Sequence, residues 1–180
     1  MTQDLLEVFQ SMDFSNKDDG ITLNDRVLII DGMNTFIRSF AAIPTMDENG
    51  NHIGGVTGFL KSVGYVIRKF KPSRVYVIFD GKGGSKRRRD IYPDYKSGRK
   101  PLTRLNRTYD MTTEQDEQDL MRYELVIVAK ALMKLPITTI TLDHVEADDI
   151  ISYIAQHTVE NGGESIIYST DKDFLQLVGD

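Results

Sequence analysis

Val75-Tyr76-Val77-Ile78-Phe79-Asp80-Gly81 runs straight into Lys82-Gly83-Gly84-Ser85-Lys86-Arg87-Arg88-Arg89, and then into Tyr92-Pro93-Asp94-Tyr95-Lys96-Ser97-Gly98-Arg99-Lys100. A short β-prone apolar run ending on a carboxylate reads as a buried strand that delivers an acid to the edge of a sheet. The dense cationic segment behind it puts positive charge beside that acid, a pairing suited to metal next to phosphate. Both halves have plainer readings as well. Asp80-Gly81 fits a turn pair, and Lys/Arg runs are commonly solvated faces. The other strand ends decide between these readings.

Toward the N-terminus, Val27-Leu28-Ile29-Ile30 makes a second buried strand that ends at Asp31-Gly32, with a helix expected over Asn34 to Ala42. Met46 to Gly55 reads as loop because of Asp47-Glu48-Asn49-Gly50-Asn51. Val56, Phe59, Leu60, Val63, Ile67 and Phe70 recur at helical spacing, which predicts an amphipathic helix from Thr57 to Phe70 stopped by Pro72.

Toward the C-terminus, Thr113 with Asp116 marks the start of a long helix that ends before Pro136. Its expected buried side is Leu120, Tyr123, Ile127, Val128, Ala131 and Leu132. Ile137 to Leu142 reads as a strand, Asp148 to His157 as a helix closed by Asn161-Gly162-Gly163, and Glu164 to Tyr168 as a further strand. This alternation predicts an α/β fold, a mostly parallel central sheet with helices on both faces. From Gly81 to about Met111 no long apolar face exists, so this region is expected to stand outside the core as a basic, partly helical excursion.

The chain has 180 residues, 40% hydrophobic and 27% charged, which fits one globular domain over residues 25–180 preceded by a polar N-terminal arm over residues 1–24. A net charge of -5 argues against a general nucleic-acid binder, but the charge is segregated. Lys82, Lys86, Arg87, Arg88, Arg89, Lys96, Arg99, Lys100, Arg104 and Arg107 are close in sequence, opposed only by Asp90 and Asp94. In an acidic protein such a field is directed rather than diffuse. The absence of cysteine excludes disulfides and thiolate metal sites. No basic and apolar leader is evident at Met1, and the apolar run from Leu125 to Met133 is short and broken by Lys130, so no membrane association and a cytoplasmic setting are expected.

Every expected strand ends near acid: Asp31, Asp80, then Glu146, Asp148 and Asp149, then Asp171 and Asp173. Singly, these are ordinary helix caps; Thr170-x-x-Asp173 also fits a capping box. Together they put seven acids on one rim, where crowded carboxylates repel and a cap needs only one. A divalent cation relieves that repulsion. Hard oxygen donors without Cys or clustered His select Mg²⁺ or Mn²⁺, and a broad rim can hold two ions ~3.5–4 Å apart for in-line phosphoryl displacement. Lys86, Arg87, Arg89, Lys100 and Arg104 then suit phosphate neutralisation, and Tyr92 and Tyr95 can stack on unpaired bases. No Gly-x4-Gly-Lys-Ser/Thr run is present, which argues against a P-loop NTPase.

Five segments in order resemble the 5′-nuclease family of structure-specific 5′→3′ exonucleases and flap endonucleases, in particular its bacteriophage members. They are Leu28-Ile29-Ile30-Asp31-Gly32, Val77-Ile78-Phe79-Asp80-Gly81, Arg88 followed by Tyr95-Lys96-Ser97-Gly98-Arg99, Val145-Glu146-Ala147-Asp148-Asp149, and Ser169-Thr170-Asp171-Lys172-Asp173-Phe174-Leu175-Gln176-Leu177. The resemblance implies a PIN-like nuclease core with a basic helical arch over about residues 82–112. It implies that Asp31, Asp80, Glu146 and Asp148 surround a first metal and that Asp149, Asp171 and Asp173 serve a second. Arg88, Lys96 and Arg99 match basic residues at the base of the arch, in contact with the scissile phosphate or the 5′ strand. The resemblance implies that family members continue beyond the last motif into a helix-hairpin-helix region that grips duplex, and with the sequence given stopping at Gly179-Asp180 that part is expected to be absent.

The implied partner is DNA with a free 5′ end or flap, or an RNA–DNA hybrid, with room for a replication-protein partner. A monomer in the cytoplasm, the host's if the chain is phage-encoded, fits the same resemblance. Two rivals stay open: a PIN-type ribonuclease, and a nucleic-acid-binding module that does not cleave.

Overall fold

The acids at the strand ends share one rim because all strands run the same way. In the computed structural model, which describes residues 25–94, 105–106 and 113–179, four strands form one parallel sheet in the order β3-β2-β1-β4. The strands are β1 (Arg26–Asp31), β2 (Arg74–Asp80), β3 (Thr138–Leu142) and β4 (Glu164–Tyr168). The helices are α1 (Gly32–Ala42), α2 (Gly54–Phe70), α3 (Lys86–Ile91), α4 (Glu114–Leu132) and α5 (Ala147–Glu160), followed by a 3-10 turn over Lys172–Leu177.

Alternation along the strands sorts the core into two layers. Leu28, Ile30, Val75 and Val77 point to one face, where Phe36, Phe40, Phe59, Val63, Val66, Val128 and Leu132 from α1, α2 and α4 cover them. Val27, Ile29 and Ile78 point to the other, against Ala147, Ile150, Ile151 and Ala155 of α5 and Phe174 of the 3-10 turn. The expected α/β sheet with helices on both faces is therefore observed. The chain builds outward from β1 to β2 and β3, then returns to the far side of β1 to lay down β4. That reversal makes the carboxyl ends of β1 and β4 the switch point, the crevice where ligands of open α/β sheets bind.

Local chemistry sets the ends of the elements. Thr113 and Asp116 form the expected reciprocal capping box of α4. The α2 helix ends at Lys71 in the left-handed conformation, with Pro72 behind it. Close approach of α1 and α2 depends on Gly58, where a Cβ would lie 2.3 Å from Ile43 Cδ1 and 2.6 Å from Ser39 Cβ.

Three expectations need correction. The excursion after Gly81 does not stand wholly outside the core, since Asn106 is fully buried and Leu105 packs against the first layer. Tyr123 is exposed, and Glu124 one position on is fully buried instead. The acid that caps the last turn is Asp171, which accepts from the Asp173 N–H at 3.0 Å, so the capping box anticipated at Thr170 does not form. Thr170 turns its N–H and hydroxyl to Asn34 Oδ1, at 3.1 and 2.9 Å. Among the described residues no helix is long and apolar enough to cross a membrane.

Candidate functional site

Asp31 closes β1 and caps α1 with the same side chain. Its Oδ1 accepts the Asn34 N–H at 3.0 Å, and its Oδ2 accepts the Ser169 hydroxyl at 2.9 Å across the switch point. The Ser169 oxygen in turn accepts the Asp171 N–H at 3.1 Å, so one hydroxyl joins the acid of β1 to the loop after β4. With Thr170 held by Asn34, the β4 loop is clasped to the first turn of α1.

The clasp holds an acid whose charge its surroundings disfavour. Asp31 is 7% exposed. Burial pushes its carboxyl above the usual carboxylate range, and the negative charges of Asp80 and Asp171 push the same way, against the two hydrogen bonds that lower it. Acids from two other strand ends therefore act on Asp31. Asp80 lies at the end of β2, where its Oδ1 accepts the Ala147 N–H at 2.8 Å and so caps α5 from a different strand.

Glu146 precedes α5 and is 4% exposed, while Asp148 is half-buried and Asp149 exposed on the first turn. Arg88 of α3 reaches both Glu146 and Asp149, donating one guanidinium nitrogen to each. Asp171 and Asp173 are exposed on the loop and 3-10 turn after β4. The capping reading and the ligand reading thus fall on the same carboxylates: Asp31, Asp80 and Asp171 each accept a backbone N–H with one oxygen.

Two contacts join acids that the resemblance assigns to different ions. Asp171 acts on Asp31, and Glu146 is tied to Asp149. Among the described residues no three acids or histidines converge closely enough to form a ready metal cage. The donor set nonetheless fits a hard divalent cation, because it is all oxygen and holds a buried carboxylate whose neighbours disfavour its charge. Lys96, Arg99, Tyr95, Lys100 and Arg104 lie outside the described residues, and Lys86, Arg87 and Arg89 are placed by backbone alone on α3.

A second polar cluster was not anticipated. His52 is fully buried, with Nδ1 2.6 Å from Glu124 Oε1 and Nε2 2.8 Å from the Ile43 carbonyl. The other Glu124 oxygen accepts the Val56 N–H at 2.9 Å. Asn106 donates its side-chain amide to the Phe40 carbonyl at 2.6 Å, and Glu117 accepts the backbone N–H groups of Leu105 and Asn106. This network pins residues 105–106 of the basic region to α1, α2 and α4. The signal was present at Glu117, Glu124 and Val128, spaced seven and four apart on one helix face, where a buried acid demands a partner.

Sheet order, switch-point acids and the adjoining basic helix define an α/β domain with a carboxylate rim of the kind suited to phosphoryl chemistry. The chain belongs to the 5′-3′ exonuclease family: residues 26–180 match the model of the 5′-3′ exonuclease N-terminal resolvase-like domain. It is 37% identical over 153 residues to the flap endonuclease Xni of Shewanella denitrificans, covering 84% of this chain and 52% of that protein. It is 31% identical over 153 residues to the 5′-3′ exonuclease of Aquifex aeolicus, covering 84% of this chain and 47% of the relative.

The same fold occurs in the bacteriophage T5 protein co-crystallized with metal ions, with a TM-score of 0.63 at 23% identity, covering 86% of this chain and 52% of that one. A T5 5′-exonuclease with bound zinc gives a TM-score of 0.65 at 21% identity, with the same coverage. This chain spans about half the length of the curated relatives it matches.

Proposed function

We propose that this chain carries the metal-dependent catalytic half of a structure-specific 5′→3′ exonuclease or flap endonuclease, hydrolysing phosphodiesters near a free 5′ end of DNA or of RNA-primed DNA. The observation that carries the reading is the clasp at the switch point, where Asp31 is buried beside Asp80 and Asp171 with its charge disfavoured. A carboxylate kept in that setting is costly to the fold and useful to a cation. The relatives named as flap endonuclease and 5′-3′ exonuclease support the same chemistry, and a T5 relative in complex with DNA and metal ions supports DNA as the substrate.

In this reading Asp31, Asp80, Glu146 and Asp148 hold one Mg²⁺ or Mn²⁺, and Asp149, Asp171 and Asp173 serve a second. Divalent ions held there would supply Lewis-acid activation of water and would offset charge on the phosphate oxygens. The chain's own part is orientation: the Asn34 N–H and the Ser169 hydroxyl fix the Asp31 carboxylate, and the Ala147 N–H fixes Asp80. Lys96 and Arg99 add positive charge at the reacting phosphate. Lys86, Arg87, Arg89, Lys100 and Arg104 neutralise the backbone of the 5′ strand, and Tyr95 stacks on an unpaired base. Replication or repair in the cytoplasm, by a monomer that a replication protein recruits, is the setting that suits this activity.

End-labelled 5′-flap DNA, RNA-primed duplex and single-stranded RNA, each with Mg²⁺, Mn²⁺ or EDTA, test it. Metal-dependent cutting at the flap junction is expected. Preference for single-stranded RNA would point to a PIN-type ribonuclease instead, and binding with no cleavage under any metal would overturn the proposal.

A further inference from the structure

The basic region begins on the acidic rim rather than apart from it. The Lys82 N–H donates to Asp143 Oδ1 at 3.1 Å and the His144 N–H to the Lys82 carbonyl at 3.0 Å, joining the root of the region to the loop between β3 and α5. At Gly84 an added Cβ would sit 2.9 Å from the Val145 carbonyl oxygen, so the chain lies directly on the backbone that leads to Glu146. From that docked root α3 sends Arg88 across to Glu146 and Asp149. Glu146 is almost fully buried, whereas Arg88 and Asp149 keep 37% and 52% of their side-chain surface in water.

A buried carboxylate needs a positive partner, and a guanidinium fork suits two carboxylate oxygens and a phosphate equally well. The two acids it bridges are ones that the nuclease reading assigns to divalent ions. We propose that Arg88 is a placeholder cation: it occupies the Glu146–Asp149 pair in the metal-free protein, yields that pair to the entering ion, and is thereby freed to take a phosphate of the nucleic acid. The inference rests on the nuclease reading, because it needs Glu146 and Asp149 to face the ions.

Two consequences follow from the exchange. Arg88 competes with metal, so removing its charge strengthens metal binding, although it lies among residues whose loss would ordinarily weaken a site. Metal and nucleic acid bind cooperatively, each raising the affinity for the other by the same factor, because both favour the state in which Arg88 has left the acids.

Mn²⁺ titration of the 180-residue chain, read by electron paramagnetic resonance of the free ion, tests the competition in wild type and Arg88→Gln. The variant should bind Mn²⁺ on the order of tenfold more tightly, the scale of a partly buried charge pair. Wild type should bind a 5′-phosphorylated oligonucleotide more tightly with Ca²⁺ than with EDTA, by fluorescence anisotropy, and Arg88→Gln should lose most of that difference. A second measurement needs no variant: phenylglyoxal labelling of Arg88, followed by mass spectrometry, should accelerate when Mn²⁺ is added. Equal or weaker Mn²⁺ binding by Arg88→Gln, or a labelling rate indifferent to Mn²⁺, overturns the placeholder role while leaving the nuclease reading intact. Wild-type protein that neither binds Mn²⁺ nor cuts 5′-flap DNA sinks both.

Discussion

Replacing Asp31 with Asn should stabilise the metal-free protein and erase its response to metal. Asn caps a helix about as well as Asp, so the bond from the Asn34 N–H survives, and the Asn amide can donate to the Ser169 oxygen in place of the present contact. What is lost is the difference between charge-assisted and neutral hydrogen bonds, about 0.5–1 kcal/mol for each of the two. What is relieved is an ionised carboxylate buried beside Asp80 and Asp171, a penalty that reaches several kcal/mol when poorly compensated. The net expectation is about 1 kcal/mol of added stability, or about 2–4 °C in Tm for a domain of this size.

The pH dependence has a definite sign. The folded-state pKa of Asp31 is raised, so the folded protein binds this proton more tightly than the unfolded chain does. Below the unfolded value both states are protonated and wild type and variant are alike. As pH rises through the window up to the raised value, wild type loses stability relative to Asp31→Asn, and the gap is full above it. Mn²⁺ at 100 times its Kd adds ~2.7 kcal/mol to wild type alone, so the order of melting temperatures should reverse between EDTA and Mn²⁺. Differential scanning fluorimetry at pH 7 reads both conditions. A variant that melts lower than wild type in EDTA, or that gains as much from Mn²⁺, would refute the reasoning and return Asp31 to the role of a plain cap.

Other substitutions probe the parts around it. Ser169→Ala should weaken Mn²⁺ binding by about tenfold with Tm little changed, and Ser169→Thr should restore it, because the hydroxyl orients Asp31 and the Asp171 loop together; unchanged Mn²⁺ affinity would remove Ser169 from that role. Glu124→Ala should cost about 3–5 kcal/mol in urea unfolding, since it opens a cavity, removes the carboxylate partner of His52 and takes the acceptor from the Val56 N–H; a loss under about 1 kcal/mol would mean the network carries little. Gly81→Ala should cost about 1–3 kcal/mol and impair metal binding, because its Cβ would fall 1.8 Å from the Leu142 carbonyl oxygen and must part β2 from β3 beside Asp80. A variant with wild-type Tm and Mn²⁺ affinity would contradict that geometry.

The sheet was legible because its signal is local. Runs such as Val27 to Ile30 and Val75 to Phe79 are apolar throughout, as strands covered on both faces must be, and Thr113 with Asp116 carries its own start signal. The acids at the strand ends were legible for the same reason, since parallel topology turns sequence position into spatial position. Contacts between distant segments were not. Nothing around Arg88 marks Glu146 as its partner 58 residues away, and nothing around Asn106 marks the Phe40 carbonyl. Helical spacing places the aromatic Tyr123 on the core side of α4, whereas the structure exposes it and buries the acid beside it. Buried polar residues read as surface until their partners are known.

The order of strands also governs when the carboxylate rim comes together. β4 is the last of the described strands and pairs with β1, the first of them, so Ser169 and Asp171 meet Asp31 across 138 and 140 residues. A nascent chain that has emerged through β3 holds half a rim and no clasp. The clasp closes only when β4 docks on β1, so the rim is among the last parts of the described fold to assemble.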